Sequence, residues 1–259
     1  MSIPFRGVIF DVDGVLEYQG RVYGGAVRII NKLRSSGVAI RVLTNSTLKS
    51  RRSCAQKLQQ KGFPIAEDQI ITASYATAEY LRQHRPCSCW ILLNGDGLEE
   101  FHAIPRNSEQ PDYIVIGDCR EDFSFHNMNR AVRLLVNGSK LLIMIPEVLD
   151  SSLGELELTV GAYGGMLERA AETKAVCIGK PNPYMFQLAL RSMDIADGKS
   201  VLMVGDKIDT DIAGAKAVGI RSALIKKGEF REEHLSLGFE PDYILDSIDQ
   251  LDSILFEAV

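Results

Sequence analysis

The apolar positions of this chain fall into short unbroken runs separated by longer amphipathic stretches. Gly7-Val8-Ile9-Phe10 is apolar throughout, the pattern of a strand buried on both faces. Beyond it the spacing changes: Ala26, Ile30 and Leu33 recur at four and three, which predicts a helix over 26–35 stopped by Gly37. A strand over 38–43 follows, then a helix over 50–61 closed by Gly62, and another over 74–83 ahead of Pro86.

The last third repeats this rhythm. A strand over 176–178 precedes Asn182 and Pro183, which suit the N-cap and first position of a helix carrying Met185, Leu188 and Ala189. Strands over 200–204, 220–225 and 243–245 alternate with a helix over 210–218 that Gly219 ends. A final helix has Ile248, Leu251 and Leu255 on one face. The middle has its own strands over 88–93, 113–116 and 140–145. It also has a helix with Phe125, Met128, Val132 and Leu135 on its apolar face. Gly161 to Gly165 is either a glycine loop or a plain entry turn into a further helix. Strands alternating with helices mean an α/β protein with a doubly wound, parallel, Rossmann-like core. That core is expected from 1–84 and 173–259, with 85–172 as an inserted α/β cap domain. Periodicity alone leaves open whether 85–172 extends the main sheet instead.

Composition narrows the classes of partner. With 46% hydrophobic and 24% charged residues, this is an ordinary globular composition. The net charge of −5 is spread along the chain, and the basic patch from Lys49 to Arg52 is short. No dedicated nucleic-acid or membrane partner is expected, and a homodimer is left open. The first residues lack the features of a secretory signal. No apolar run approaches the roughly 20 residues that cross a bilayer, so a cytoplasmic protein is expected. The five cysteines are sparse, and Cys87 and Cys89 have no second pair with which to hold zinc, so reduced thiols are expected. His84, His102, His126 and His234 are scattered and read as surface or cap residues.

Chemistry enters at the strand ends, where open α/β sheets place their ligands. Phe10 leads into Asp11-Val12-Asp13-Gly14, Leu43 into Thr44-Asn45, Ile178 into Gly179-Lys180-Pro181, and Val204 into Gly205-Asp206. Together these supply carboxylates, a hydroxyl and an ammonium, an inventory suited to phosphoryl transfer. A hard cation held by Asp11 and Asp206 would offset the repulsion between an attacking carboxylate and a phosphate dianion. Lys180 and Thr44 can bind the remaining phosphate oxygens. Asp13, starting protonated, can serve the leaving group and then the water.

In the same order, these four segments resemble the four motifs of the haloacid dehalogenase superfamily. The resemblance runs from residue 8 to about 225. It is closest to the phosphatases with a large α/β cap, the nitrophenylphosphatase and NagD-like group. It implies a phosphatase for small phosphorylated metabolites that works through an aspartyl-phosphate. Asp11 would be the nucleophile and Asp13 the general acid/base. Thr44, Asn45 and Lys180 would hold phosphate. Mg²⁺ would be bound by Asp11, Asp206 and the main-chain carbonyl of Asp13. Residues 17–23, turning at Gly20, would form a small hairpin flap. Asp209 and Asp211 are supporting residues: one could cap the following helix, and Asp211 could orient Lys180. Asn45 is either a phosphate contact or a turn residue.

The cap departs from the commonest family pattern at Ile145-Pro146-Glu147-Val148-Leu149-Asp150, a loop the resemblance turns toward the substrate. No one relative's substrate can therefore be carried over. Two alternatives stay open: a phosphotransferase or mutase on the same core, and a non-enzymatic protein that binds a phosphorylated ligand.

Overall fold

The computed structural model describes residues 3–150 and 155–256. Among these residues, ten strands build two parallel sheets. They are β1 (Gly7–Phe10), β2 (Ala39–Thr44), β3 (Ile70–Thr72), β4 (Cys89–Leu92), β5 (Tyr113–Ile116), β6 (Lys140–Ile143), β7 (Val176–Cys177), β8 (Val201–Gly205), β9 (Arg221–Ile225) and β10 (Tyr243–Leu245).

The first sheet runs β10-β9-β8-β1-β2-β3. β1 lies between two neighbours, with Phe10 opposite Val204 on one side and Val42 on the other. The chain moves outward from β1 to β3, then resumes at β8 on the other side of β1 and moves outward again. This reversal makes β1 and β8 flank the switch point where open α/β sheets collect ligands. Every residue of β1 and β8 is buried, as expected of parallel strands covered on both faces.

The helix Ala26–Ser35 buries Ala26, Ile29, Ile30 and Leu33 and carries Lys32 and Arg34 in its last turn, where cations suit the exposed carbonyls. Its apolar face joins Val8, Phe10, Val42, Leu202, Val204, Leu251 and Leu255 in one core. Each such aliphatic side chain contributes about 1.5–3 kcal/mol when fully buried. At the helix Pro183–Ser192, Asn182 Oδ1 accepts from the Tyr184 N–H at 2.9 Å, so the expected cap is present.

The second sheet runs β7-β6-β5-β4. The period of two along β5 serves two cores. Tyr113 and Val115 pack with Ala73, Ala78 and Leu81 of the helix Ala73–Gln83. Ile114 and Ile116 pack with Met128 and Leu135 of the helix Phe125–Val136 and with Leu167 of the helix Val160–Ala170.

The chain forms two compact units. The first takes the described residues up to Thr44, Cys54–Ile71, and those from Lys180 onward; the second takes Asn45–Ser53 and Thr72–Gly179. The second unit thus differs in extent from the expected insert at 85–172. It includes the helix Ala73–Gln83 because that helix's buried face packs on the second sheet.

Other differences are local. β3 has three residues, too few for any periodicity, and was not predicted. Phe125, placed by spacing on the apolar face, is 88% exposed. It opens its helix, and a helical side chain lies over the turn before its own Cα, where here there is only the short 3-10 turn Arg120–Asp122 and no α-helix. The expected helix over 210–218 begins as a π turn, Ile208–Ile212, and continues as Ala213–Ala217. The glycines from Gly161 to Gly165 lie within the helix Val160–Ala170. The hairpin of Glu17–Tyr18 and Arg21–Val22 matches the expected flap, whereas the antiparallel pair of Leu149–Asp150 with Glu157–Leu158 was not foreseen. No helix among the described residues is long and apolar enough to cross a membrane.

Candidate active site

The Asp11 N–H donates to Val204 O at 2.9 Å, which carries the ladder between β1 and β8 one residue past Phe10. The Asp11 carboxylate is therefore placed by the sheet itself, and it is buried. Lys180 Nζ donates to Asp11 Oδ1 at 2.8 Å, to Asp211 Oδ1 at 2.7 Å and to Leu43 O at 3.3 Å. An ammonium has three hydrogens, so these acceptors fix its orientation. Asp206, at the end of β8, is 1% exposed. Its Oδ2 accepts from the Glu229 N–H at 2.7 Å, and its buried Oδ1 has no hydrogen-bond partner among the described residues. One oxygen each from Asp11, Asp206 and Asp211 lie within 4.8 Å of one another.

Two glycines make this approach sterically feasible. Gly14 has φ +80°, and a Cβ there would sit 1.9 Å from Asp206 Oδ2. Gly228 has φ +60°, and a Cβ there would sit 2.3 Å from both Asp206 Oδ2 and Gly14 Cα. A side chain at either position would have to displace the carboxylate.

The electrostatics follow from crowding acids in a dry space. Burial pushes the Asp11 carboxyl up to about 7; Lys180 opposes this, while Asp211 and Asp13 add to it. Burial likewise pushes Asp206 up to about 8, with Asp11 and Asp211 adding to the effect. Burial alone would lower the Lys180 pKa, but Asp11 and Asp211 override it and hold the ammonium charged. When all three carboxylates are ionised, one ammonium leaves two negative charges to be offset. Together with the orphaned Asp206 Oδ1, that excess fits a hard divalent cation. Asp211 is a poorer ligand than the other two, because Oδ1 holds Lys180 and Oδ2 accepts from the Lys207 N–H at 3.2 Å.

The remaining predicted residues are placed as follows. Asp13 reaches solvent, yet the protein around it removes enough water to raise its pKa; Lys57 opposes this and Glu17 adds to it. Thr44 ends β2 and is buried. Asn45 opens the second unit, where its Nδ2 donates to Glu147 Oε1 at 2.9 Å. Asp209 is exposed, and Asp211 is fully buried on Lys180.

Sequence reasoning missed the Glu229 N–H, for which a backbone donor leaves no residue-type signal. It also passed over Glu17, which is fully buried between Lys57 and Lys61. Two lysines one helical turn apart, with no acid on their own helix Arg51–Gln60, were the available signal.

Comparison with known proteins extends the picture. A family model described as haloacid dehalogenase-like hydrolase matches residues 8–103, and a second HAD-hydrolase-like model matches residues 177–251. The chain is 37% identical over 240 residues to the phospholysine phosphohistidine inorganic pyrophosphate phosphatase of Xenopus laevis, covering 87% of this chain and 85% of that protein. Among solved structures, p-nitrophenyl phosphatase from Archaeoglobus fulgidus superposes with a TM-score of 0.89 at 26% identity, over 97% of this chain and 99% of that one. NagD from E. coli K-12 shares the fold with a TM-score of 0.86 at 24% identity, over 95% and 97% of the two chains.

Proposed function

Since the chain belongs to the haloacid dehalogenase-like hydrolases and is a phosphatase, we propose that it hydrolyses small phosphate monoesters through an aspartyl-phosphate on Asp11. The observation that carries this reading is the buried Asp11–Lys180–Asp206 cluster with its orphaned carboxylate oxygen. We assign Mg²⁺ to Asp11, Asp206 and the main-chain carbonyl of Asp13; when bound, it would offset charge on the phosphoryl oxygens.

The protein's own groups do the rest. An Asp11 oxygen attacks phosphorus, and the bond from phosphorus to the leaving oxygen breaks. Asp13, whose raised pKa suits a protonated start, gives its proton to that oxygen. Water then attacks phosphorus and passes a proton to the Asp13 carboxylate. The bond to Asp11 breaks, freeing inorganic phosphate and restoring the carboxylate. Lys180 and Thr44 hold phosphoryl oxygens, and Asp211 keeps Lys180 aimed and charged. We read the second unit as the cap. Its Pro146-to-Asp150 loop, bonded to Asn45 through Glu147, is assigned to choosing the organic group.

The test is phosphate release from a panel, with Mg²⁺ and with EDTA. The name of the Xenopus laevis relative puts phosphoramidates and pyrophosphate on that panel beside aryl and alkyl esters. Turnover should require Mg²⁺. Asp11→Asn should lose it by on the order of 10⁴-fold or more, as nucleophile removal does elsewhere. Full activity in EDTA, or phosphate release by Asp11→Asn, would overturn the reading.

A further inference from the structure

Glu17 is a fully buried carboxylate that the proposed chemistry does not use. Its Oε1 lies 2.5 Å from Lys57 Nζ, and its Oε2 is paired with Lys61 Nζ. Lys57 is in the last turn of the helix Arg51–Gln60 and Lys61 follows that helix, so both ammonium groups approach from one side. Each remains partly exposed, 40% and 20% respectively, so water helps to solvate the lysines while the acid is wholly enclosed.

The backbone of Glu17 is equally committed. Its N–H donates to Val12 O at 3.1 Å, and its carbonyl accepts from the Gly14 N–H at 2.7 Å. Leu16 N–H donates to the same Val12 O at 2.9 Å, and Asp13 pairs with Glu17 as an isolated bridge. The turn that carries Asp13 is therefore closed by the peptide groups of Glu17. The flap beyond it has strands of only two residues, too short to hold themselves. An apolar side chain at position 17 could anchor this hairpin to the core. Two ion pairs on one carboxylate do more, because they fix its direction as well as its depth. Lys57 is also the charged group that acts most strongly on Asp13.

We propose that Glu17, clamped by Lys57 and Lys61, is a positioning residue that holds Asp13 at the leaving-group side of the site. The inference rests on the acid/base reading of Asp13. A small displacement of such a group is costly, since a misplacement of about 1 Å can lower a rate on the order of 10²-fold.

The test compares Glu17→Gln with wild type on an alkyl phosphate, whose leaving group needs a proton, and on p-nitrophenyl phosphate, whose leaving group does not. The kcat/KM on the alkyl ester, which reports the step that expels the leaving group, should fall about 10–100-fold, and the loss on the aryl ester should be smaller. In an Asp13→Asn background, Glu17→Gln should cost less than about twofold more, because the two residues then act through one step. Lys61→Met, which leaves the Lys57 pair, should lose less than Glu17→Gln. Equal losses of kcat/KM on both esters, or losses that multiply with those of Asp13→Asn, would reduce Glu17 to a fold staple and overturn the proposal. If Asp13→Asn alone keeps the wild-type kcat on the alkyl ester, the acid/base reading fails first and the proposal with it. Circular dichroism and melting temperature check folding. Should Glu17→Gln not fold, Lys57→Gln and Lys61→Met, both on partly exposed side chains, carry the same comparison.

Discussion

Both large sheets of this protein are parallel, and both end their strands in loops with polar residues, yet their strand ends differ in what they leave available. Past β1 and β8, Asp11, Asp206 and Asp211 crowd around Lys180, which itself follows β7 of the second sheet, and one buried Asp206 oxygen has no partner among the described residues. Past β4 and β5, the polar groups settle among themselves. Asn94 Nδ2 donates to Cys119 O at 2.9 Å, Asp118 Oδ1 accepts from the Arg120 N–H at 3.2 Å, and Asp118 Oδ2 pairs with the Arg120 guanidinium at 3.2 Å. Strand order separates the sheets as well. The first reverses direction at β1 and β8, whereas the second runs β7-β6-β5-β4 in plain succession. A crevice opens where neighbouring connections diverge to opposite sides, and only a reversal makes them do so. The candidate site therefore sits at the reversal and not at every parallel strand end.

The comparison can be broken most sharply at Asp13. Asp13→Asn should lower kcat on an alkyl phosphate by about 10²–10⁴-fold, read by steady-state phosphate release. A wild-type rate would remove the proton-transfer role. A second, smaller effect concerns pH. Asp11 at about 7 and Asp206 at about 8 lie above the unfolded carboxylate value of about 4. Between those values the folded chain holds protons that the unfolded chain has lost, so metal-free stability falls as pH rises from about 4 to about 8. Mg²⁺ favours the anions, so the rise in melting temperature that it gives should be larger at pH 8 than at pH 6. A rise that shrinks over that interval would mean that these acids are not where the cation binds. The smallest effect belongs to the second sheet. Asp118→Ala should cost roughly 1–2 kcal/mol, seen as a lower melting temperature, with kcat/KM within about twofold of wild type. A large loss of activity without loss of stability would show that the ends of β4 and β5 also take part in the chemistry.

Much of this contrast was legible in the sequence. Gly7-Val8-Ile9-Phe10 followed by Asp11-Val12-Asp13-Gly14 announces a buried strand ending in acids, and the strand, the helix Ala26–Ser35 and the Asn182 cap fall where pattern places them. β3 was not legible, because Ile70-Ile71-Thr72 is too short to show a period and becomes a strand only by adding to the β2 edge. Phe125 was misplaced because spacing ignores where a helix begins. The pairing of Asn45 with Glu147 joins residues far apart in sequence and could not be read from either alone. Glu17 was hidden for a different reason: an acid in a flap is ordinarily solvated, and only the fold encloses it.

The helix Ala73–Gln83 bears on how this protein could be taken apart. Its buried face belongs to the second sheet, so a truncation of residues 85–172 would leave Ala73, Ala78 and Leu81 without partners on a fragment meant to be soluble. The portable block is Thr72–Gly179, and even that leaves behind Asn45–Ser53, which belongs with it through the bond from Ser50 Oγ to Asp96 Oδ2 at 3.1 Å. A graft onto another scaffold would have to carry two pieces of chain. Recombination that moved the unit as a single cassette would have had to regrow the first piece on arrival, so the module is contiguous in space but not in the gene.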